Sequence, residues 1–281
     1  MNTELQYLEA LKTILSEGVL VPNRTGISAY TYPHMMIRHD MSDGFPLLTT
    51  KKMAWNSVKV ELEFFIKGLT NKQWLKDRKC TIWNEWCNPK KVPSGLSNEE
   101  RKTFQLQEDD LGKIYGYQWR NFNSSGKDQL ANIVNQLKTN PNSRQLVCSA
   151  WNPCEIEEMG LPPCHWGWNV FMCGGKLHLS FNMRSVDMPL GFPFNLSSYA
   201  LLLHLLCKES GYEEGVVTGF LSNCHIYENQ VEGIKEQITR IPYKFPTIET
   251  SKFSSIFEWE YLDTSINNYL CHSLISFPIA V

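Results

Sequence analysis

Apolar residues recur at helical spacing in four stretches of the chain. Leu5, Leu8, Leu11 and Leu15 share one side of residues 3 to 17, which predicts an amphipathic opening helix. Lys59 to Gly68 carries Val60, Phe64 and Ile66 and ends on a glycine, the pattern of a helix with a C-terminal stop. Asp128 to Thr139 opens on a capping carboxylate and repeats Leu130, Ile133, Val134 and Leu137. Asn195 to Ser210 is apolar nearly all round, which predicts a buried helix. Thr31 to Asp40, Gln145 to Ala150 and Trp168 to Phe181 have strand character, the last folded at Gly174-Gly175. Asn23-Arg24-Thr25-Gly26 reads as a polar loop, and Pro89 to Asp110 as a charged surface insertion of freely variable kind. The end, Phe277-Pro278-Ile279-Ala280-Val281, is apolar and proline-stiffened where termini usually fray, so it is expected to dock. Helices and strands mix without regular alternation, which predicts an α+β fold rather than a doubly wound parallel sheet.

Composition narrows the partners. The 281 residues are 42% hydrophobic and 20% charged, as in ordinary globular proteins. A net charge of -2, from 27 basic and 29 acidic residues, gives no global field for nucleic acid or an acidic membrane. A small anion held by a few local arginines remains compatible with it. Apolar runs such as Tyr199 to Cys207 are too short to span a bilayer. Glu4 and Glu9 among the first leucines argue against a secretory signal, so the cytoplasm is the expected compartment. Nine cysteines, an odd count without tight pairing, are expected as reduced thiols. With no Cys-x-x-Cys and no histidine pair at helical spacing, no metal site is expected.

Three constellations could carry chemistry. In Leu161-Pro162-Pro163-Cys164-His165, two prolines fix the backbone ahead of a thiol, which suits an aimed nucleophile. A thiol of ordinary pKa needs a cationic neighbour to become effective, and a buried inert cysteine is the competing reading. Arg184-Ser185-x-Asp187 offers a guanidinium fork beside a hydroxyl, a phosphate clamp or else a surface ion pair. Asn195 has one acceptor and two donors and so can read adjacent N–H and C=O groups, as uracil presents, or can simply cap a helix. His225-x-Tyr227 sets two polar tips on one side of a strand, fit for a sugar hydroxyl or for structural hydrogen bonds. A cysteine hydrolase using Cys164 and His165 is disfavoured because adjacent strand residues point apart.

In number and order these segments resemble the thymidylate synthase family over essentially the whole chain. The matching segments include Arg24-Thr25-Gly26, Phe45 to Lys52, Glu61-Leu62, Ile82-Trp83 with Trp86, Tyr115 to Arg120 and Ser143-Arg144. They continue through Pro162 to His165, Arg184-Ser185-x-Asp187, Leu190-Gly191-x-Pro193-Phe194-Asn195, His225-x-Tyr227 and Ala280-Val281. The resemblance implies one large α+β domain over residues 1–281, a mixed, twisted sheet flanked by helices, and a homodimer built on a sheet face. It implies reductive methylation of dUMP to dTMP with 5,10-methylenetetrahydrofolate as carbon and hydride donor. By similarity Cys164 attacks uracil C6, an adjacent Arg184 lowers its pKa, Glu61 moves protons through water, and Tyr115 helps remove the C5 proton. Arg24, Arg184 and Ser185 match phosphate and thiolate neighbours, and Arg144 an arginine reaching the partner's site. Asn195 matches the uracil reader, and His225 with Tyr227 the pair on the deoxyribose hydroxyl. Ile82, Trp83, Leu161, Asp187 and Gly191 fall where the family binds folate, and Val281 matches its closing tail. Departures are Gln145, Asn84, Met183 and Gln230, where arginine, aspartate, glutamine and histidine are usual. The alternatives are a dUMP hydroxymethylase, which would need water at the exocyclic methylene, and a non-catalytic nucleotide-binding relative.

Overall fold

The computed structural model describes residues 2–279. Its helices are α1 (Thr3–Glu17), α2 (Trp55–Ile66), α3 (Gln73–Lys76), α4 (Asn98–Gln107), α5 (Tyr115–Arg120), α6 (Gln129–Thr139), α7 (Gly191–Ser210) and α8 (Val231–Gln237). Its strands are β1 (Val19–Val21), β2 (Ala29–Asp40), β3 (Val147–Ser149), β4 (His165–Cys173), β5 (Lys176–Met183), β6 (Val186–Asp187), β7 (Glu213–Tyr227), β8 (Thr247–Thr250) and β9 (Thr264–Asn267).

The main sheet runs β1-β2-β7-β5-β4-β3, with β6 added to the end of β7, and β8 pairs with β9 apart from it. It is mixed: β5 and β6 lie parallel to β7, and the other pairs are antiparallel. This is the expected α+β arrangement. Gly174 and Gly175, both at positive φ, turn the β4–β5 hairpin where two consecutive left-handed residues are needed. Asp128 caps α6 by accepting from the Ala131 N–H at 2.9 Å, as its position foretold.

One face of the sheet is covered. α1 packs on β2 and β7, and α7 on β5, β6 and β7. Leu201, Leu202, Leu203, Leu205 and Leu206 of α7 are completely buried, so this helix is the centre of the core. It begins at Gly191, four residues earlier than the apolar pattern suggested, and Pro193 is tolerated because first-turn N–H groups have no helical acceptor. Glu4, fully buried in α1, accepts from the N–H groups of Thr49 and Thr50 at 2.8 and 2.6 Å. The segment that carries Lys51 is fastened to the core in this way.

The other face stays open, with Met36 59% and Phe220 46% exposed as register partners, and Phe171, Trp166 and Val147 also exposed beyond them. Pro89 to Asp110 is largely exposed but contains α4, closed by a capping box between Ser97 and Glu100. It is also tied inward: the fully buried Lys72 ammonium donates to the carbonyls of Asn84, Trp86 and Gln105.

Candidate active site

Cys164 ends the Leu161-Pro162-Pro163 run, one residue before β4, and is half-buried. Its backbone is held on both sides. The Cys164 N–H donates to the Tyr115 hydroxyl at 2.8 Å, and its carbonyl accepts from the Arg184 N–H at 2.9 Å. Arg184 also donates from Nε to the Pro163 carbonyl at 2.9 Å and from Nη2 to the Pro162 carbonyl at 3.0 Å. The proline run therefore needs the arginine to fix it, and the arginine's charge is delivered to the thiol by the same contacts. That charge does not prevail. Burial pushes the Cys164 thiol above its ordinary value, outweighing the downward pull of Arg184 and Arg24, and Asp187 adds to the rise. The arginine does lower the thiol as expected, and burial, which the sequence does not report, outweighs it.

Tyr115 opens α5, its ring stacked on Phe65 at 5.0 Å and on His165 at 4.2 Å between centroids. The stack exists because residue 116 is glycine: a Cβ there would meet the Phe65 carbonyl oxygen at 2.4 Å. His165 bonds through Nδ1 to the Tyr199 hydroxyl at 2.8 Å, and burial drives its imidazole down to about 3. A neutral, locked ring cannot act as a mobile base for Cys164, which removes the hydrolase reading.

Glu61, on α2, is buried, and its Oε1 accepts from Trp83 Nε1–H at 2.7 Å. Burial raises its carboxyl to about 7, the Trp83 donor pulling the other way. A group poised near neutrality can both give and take a proton. Trp83 itself stands edge-on to Tyr115 at 5.9 Å, so Glu61, Trp83, Tyr115 and Cys164 form one contiguous wall. Ile82 and Leu161 are half-buried against the same core.

β6 carries Asp187 into register with His225 of β7. Burial lifts the Asp187 carboxyl to about 6, opposed by the Leu190 N–H, by Gln230, by Lys51 and by the Gly191 N–H. Lys51, 5% exposed, donates to the Pro189 carbonyl and lies 4.7 Å from the Phe277 ring centroid; burial brings its amine down to about 8. His225 and Tyr227 stand 5.2 Å apart between ring centroids, on the same side of β7 as expected, and His225 Nδ1 meets Asn223 Oδ1 at 3.0 Å.

Asn195 lies in the second turn of α7 and not at its cap, and its carboxamide has no hydrogen-bond partner among the described residues. The same holds for the half-buried Ser185 hydroxyl. Gly191 sits beside both Asp187 and Asn195, at ordinary contact distance for any added Cβ. Arg24 is exposed on an Asx turn made by Asn23, with Gly26 at φ 76°, and its charge is felt at both Cys164 and Tyr227. Arg144, by contrast, is exposed and makes no ion pair or hydrogen bond among the described residues. Val281 lies outside the described residues. Lys51, Tyr199 and Gln230 had been given no role; a tyrosine inside an otherwise apolar helix was the available signal for Tyr199.

Among the described residues no group of three or more His, Cys, Asp or Glu side chains could hold a metal ion, and no helix is long and apolar enough to cross a membrane. All nine cysteines are free. A restrained thiol, a neutral-range carboxyl on an indole N–H, and an unpaired amide define a site for nucleophilic addition to a polar ring with proton transfer. Residues 5–281 match the family described as thymidylate synthase. The chain is 40% identical over 291 aligned positions to the thymidylate synthase of Mycoplasma pneumoniae, covering 98% of this chain and 99% of that protein. It is 38% identical to the bifunctional dihydrofolate reductase-thymidylate synthase of Paramecium tetraurelia, spanning 62% of that longer protein. The chain belongs to the thymidylate synthase family.

Proposed function

We propose that this chain methylates dUMP to dTMP, with 5,10-methylenetetrahydrofolate supplying the methylene carbon and the hydride. The observation that carries the reading is the wall of Cys164, Tyr115, Glu61 and Trp83, which brings a thiol, a phenol and a carboxyl near neutrality together. Cys164 Sγ adds to uracil C6, and the ring electron pair moves to C5 and O4. Arg24, Arg184 and Ser185 hold the phosphate, which is anionic as their charge requires. Asn195 pairs its free amide with N3–H and O4, and His225 with Tyr227 holds the deoxyribose hydroxyl. C5 then bonds to the folate's methylene carbon. Glu61 gives or takes a proton at O4 through water, the Tyr115 hydroxyl assists removal of the C5 proton as the folate nitrogen leaves, and hydride from the folate to the exocyclic carbon expels Cys164.

The folate is proposed to bind beside the same residues. Ile82, Trp83 and Leu161 give an apolar wall, and the half-buried Asp187 beside Gly191 is a carboxyl suited to ring N–H groups. Trp83 is 5% exposed, which favours hydride over water at the exocyclic carbon, and both relatives are named for thymidylate synthesis. Val281 remains the residue proposed to close over the folate.

Two copies are proposed to pair through the open sheet face of Met36, Phe220, Phe171, Trp166 and Val147, an apolar surface of the kind interfaces use. Arg144, exposed and without a hydrogen bond or ion pair among the described residues, then serves the partner's phosphate. The domain spans residues 1–281 and works in the cytoplasm.

Incubation with dUMP and methylenetetrahydrofolate tests the reaction: dTMP and dihydrofolate are expected, and none from Cys164→Ser. Formation of tetrahydrofolate with 5-hydroxymethyl-dUMP overturns it. Sedimentation should give a dimer that Phe220→Glu separates; a monomeric wild type refutes the pairing.

A further inference from the structure

Gln230 is 1% exposed, and its side chain uses both amide N–H groups and its carbonyl oxygen. Its Oε1 accepts from the Tyr227 N–H at 3.0 Å. Its Nε2 donates to Asp187, at 3.2 Å to Oδ2 and 3.4 Å to Oδ1, and to the Pro278 carbonyl at 3.2 Å. An amide has two N–H groups and one carbonyl, so no other uncharged side chain of this length satisfies the three partners together. These partners come from β7, the half-buried carboxyl of β6 and the C-terminal segment.

The C-terminal segment is otherwise fastened farther back. The His272 N–H donates to the Thr49 carbonyl at 2.7 Å, and Arg240 Nη1 to the Ser273 carbonyl at 2.8 Å. Ile275 and Phe277 are buried where a Cβ on Gly233 would collide with both. Beyond Phe277, the Gln230 bond is the only hydrogen bond to the segment among the described residues.

We infer that Gln230 is a positioning residue that clasps the C-terminal segment to Asp187 and Tyr227, setting the folate side of the mouth and not the nucleotide side. The inference rests on the dUMP-methylating reading for its kinetic part only. The family's usual histidine has two ring nitrogens and cannot make this three-way set, so the clasp is a feature of chains with glutamine here.

Two variants keep the test open to failure. Gln230→Glu keeps the shape but sets oxygen against Asp187 and the Pro278 carbonyl; Gln230→Met removes all three bonds without adding charge. Hydrogen exchange of the peptide covering residues 273–279 in the ligand-free protein is expected to speed up about tenfold in each, near the upper worth of one neutral hydrogen bond. With dUMP and methylenetetrahydrofolate, the KM for the folate should rise about tenfold while that for dUMP moves less than about twofold. A variant folded by far-UV circular dichroism with unchanged exchange and folate KM overturns the clasp, and so does an equal rise in both KM values. If wild type makes no dTMP, the functional reading fails, and the exchange rates still decide on Gln230.

Discussion

The carboxyl of Glu61 offers the sharpest quantitative test. Burial in α2 raises it from an ordinary 4.5 to about 7, although Trp83 Nε1–H donates to it at 2.7 Å. Between those two values the folded chain retains a proton that the unfolded chain has released, so folding stability falls as pH rises across the window. At 1.36 kcal/mol per pH unit the loss reaches about 3 kcal/mol above pH 7, undiminished by solvent because the group is buried. Glu61→Gln keeps the shape and the indole acceptor but cannot ionise. Urea unfolding of wild type and variant, at one protein concentration and at half-unit steps from pH 4.5 to 8, measures the difference. The two proteins should be about equally stable near pH 4.5, and the variant should gain about 3 kcal/mol over wild type by pH 8. Turnover should be lost in the variant throughout. A stability difference that stays flat with pH would show that the carboxyl is not desolvated as the structure has it, and its role as a neutral-range proton carrier would go with it.

Three further outcomes are expected. Alkylation of Cys164 by iodoacetamide, followed by mass spectrometry, should lag behind the exposed Cys154 and Cys173 near neutral pH and speed up as pH rises; Arg184→Met should slow it again. An alkylation rate untouched by Arg184→Met would mean that the guanidinium does not act on the thiol. Asn195→Asp should move preference from dUMP toward dCMP, and an unchanged ratio of the two kcat/KM values rejects the base-reading amide. Gly116→Ala should cost about 1–3 kcal/mol in urea unfolding and lower turnover as Tyr115 is pushed off Phe65, whereas a neutral variant would show that the close approach is not required.

Where local chemistry decides, the sequence was a good guide. Asp128 caps its helix, Gly174-Gly175 turns its hairpin, and period-two spacing puts His225 and Tyr227 on one side of a strand. Elements fixed by long-range packing escaped it. α5 has only six residues and a glycine, and it holds because it lies against α2; β1 is three residues long and exists through its pairing with β2. The start of α7 was hidden by Pro193, which marks a break in a helix interior but not in a first turn. At the site, the effect of burial on the electrostatics could not be read from the sequence. The sign at Cys164 depends on how much water burial removes, and no spacing of arginines reports that. Arg144 shows another boundary: it makes no hydrogen bond or ion pair among the described residues, so the fold of one chain gives it no role.

Lys72 gives the segment 89–110 a meaning its composition conceals. A lone ammonium with no access to water is solvated by three backbone oxygens, two from the Trp83 loop and one from α4. Excising the segment would leave that ammonium one acceptor short, and the shortfall would be felt at residues 84 and 86, in the loop that carries Trp83. Its outer length can drift, but the carbonyl at 105 has to return to the same point. What passes for ornament on the surface is a keystone for the indole that grips Glu61.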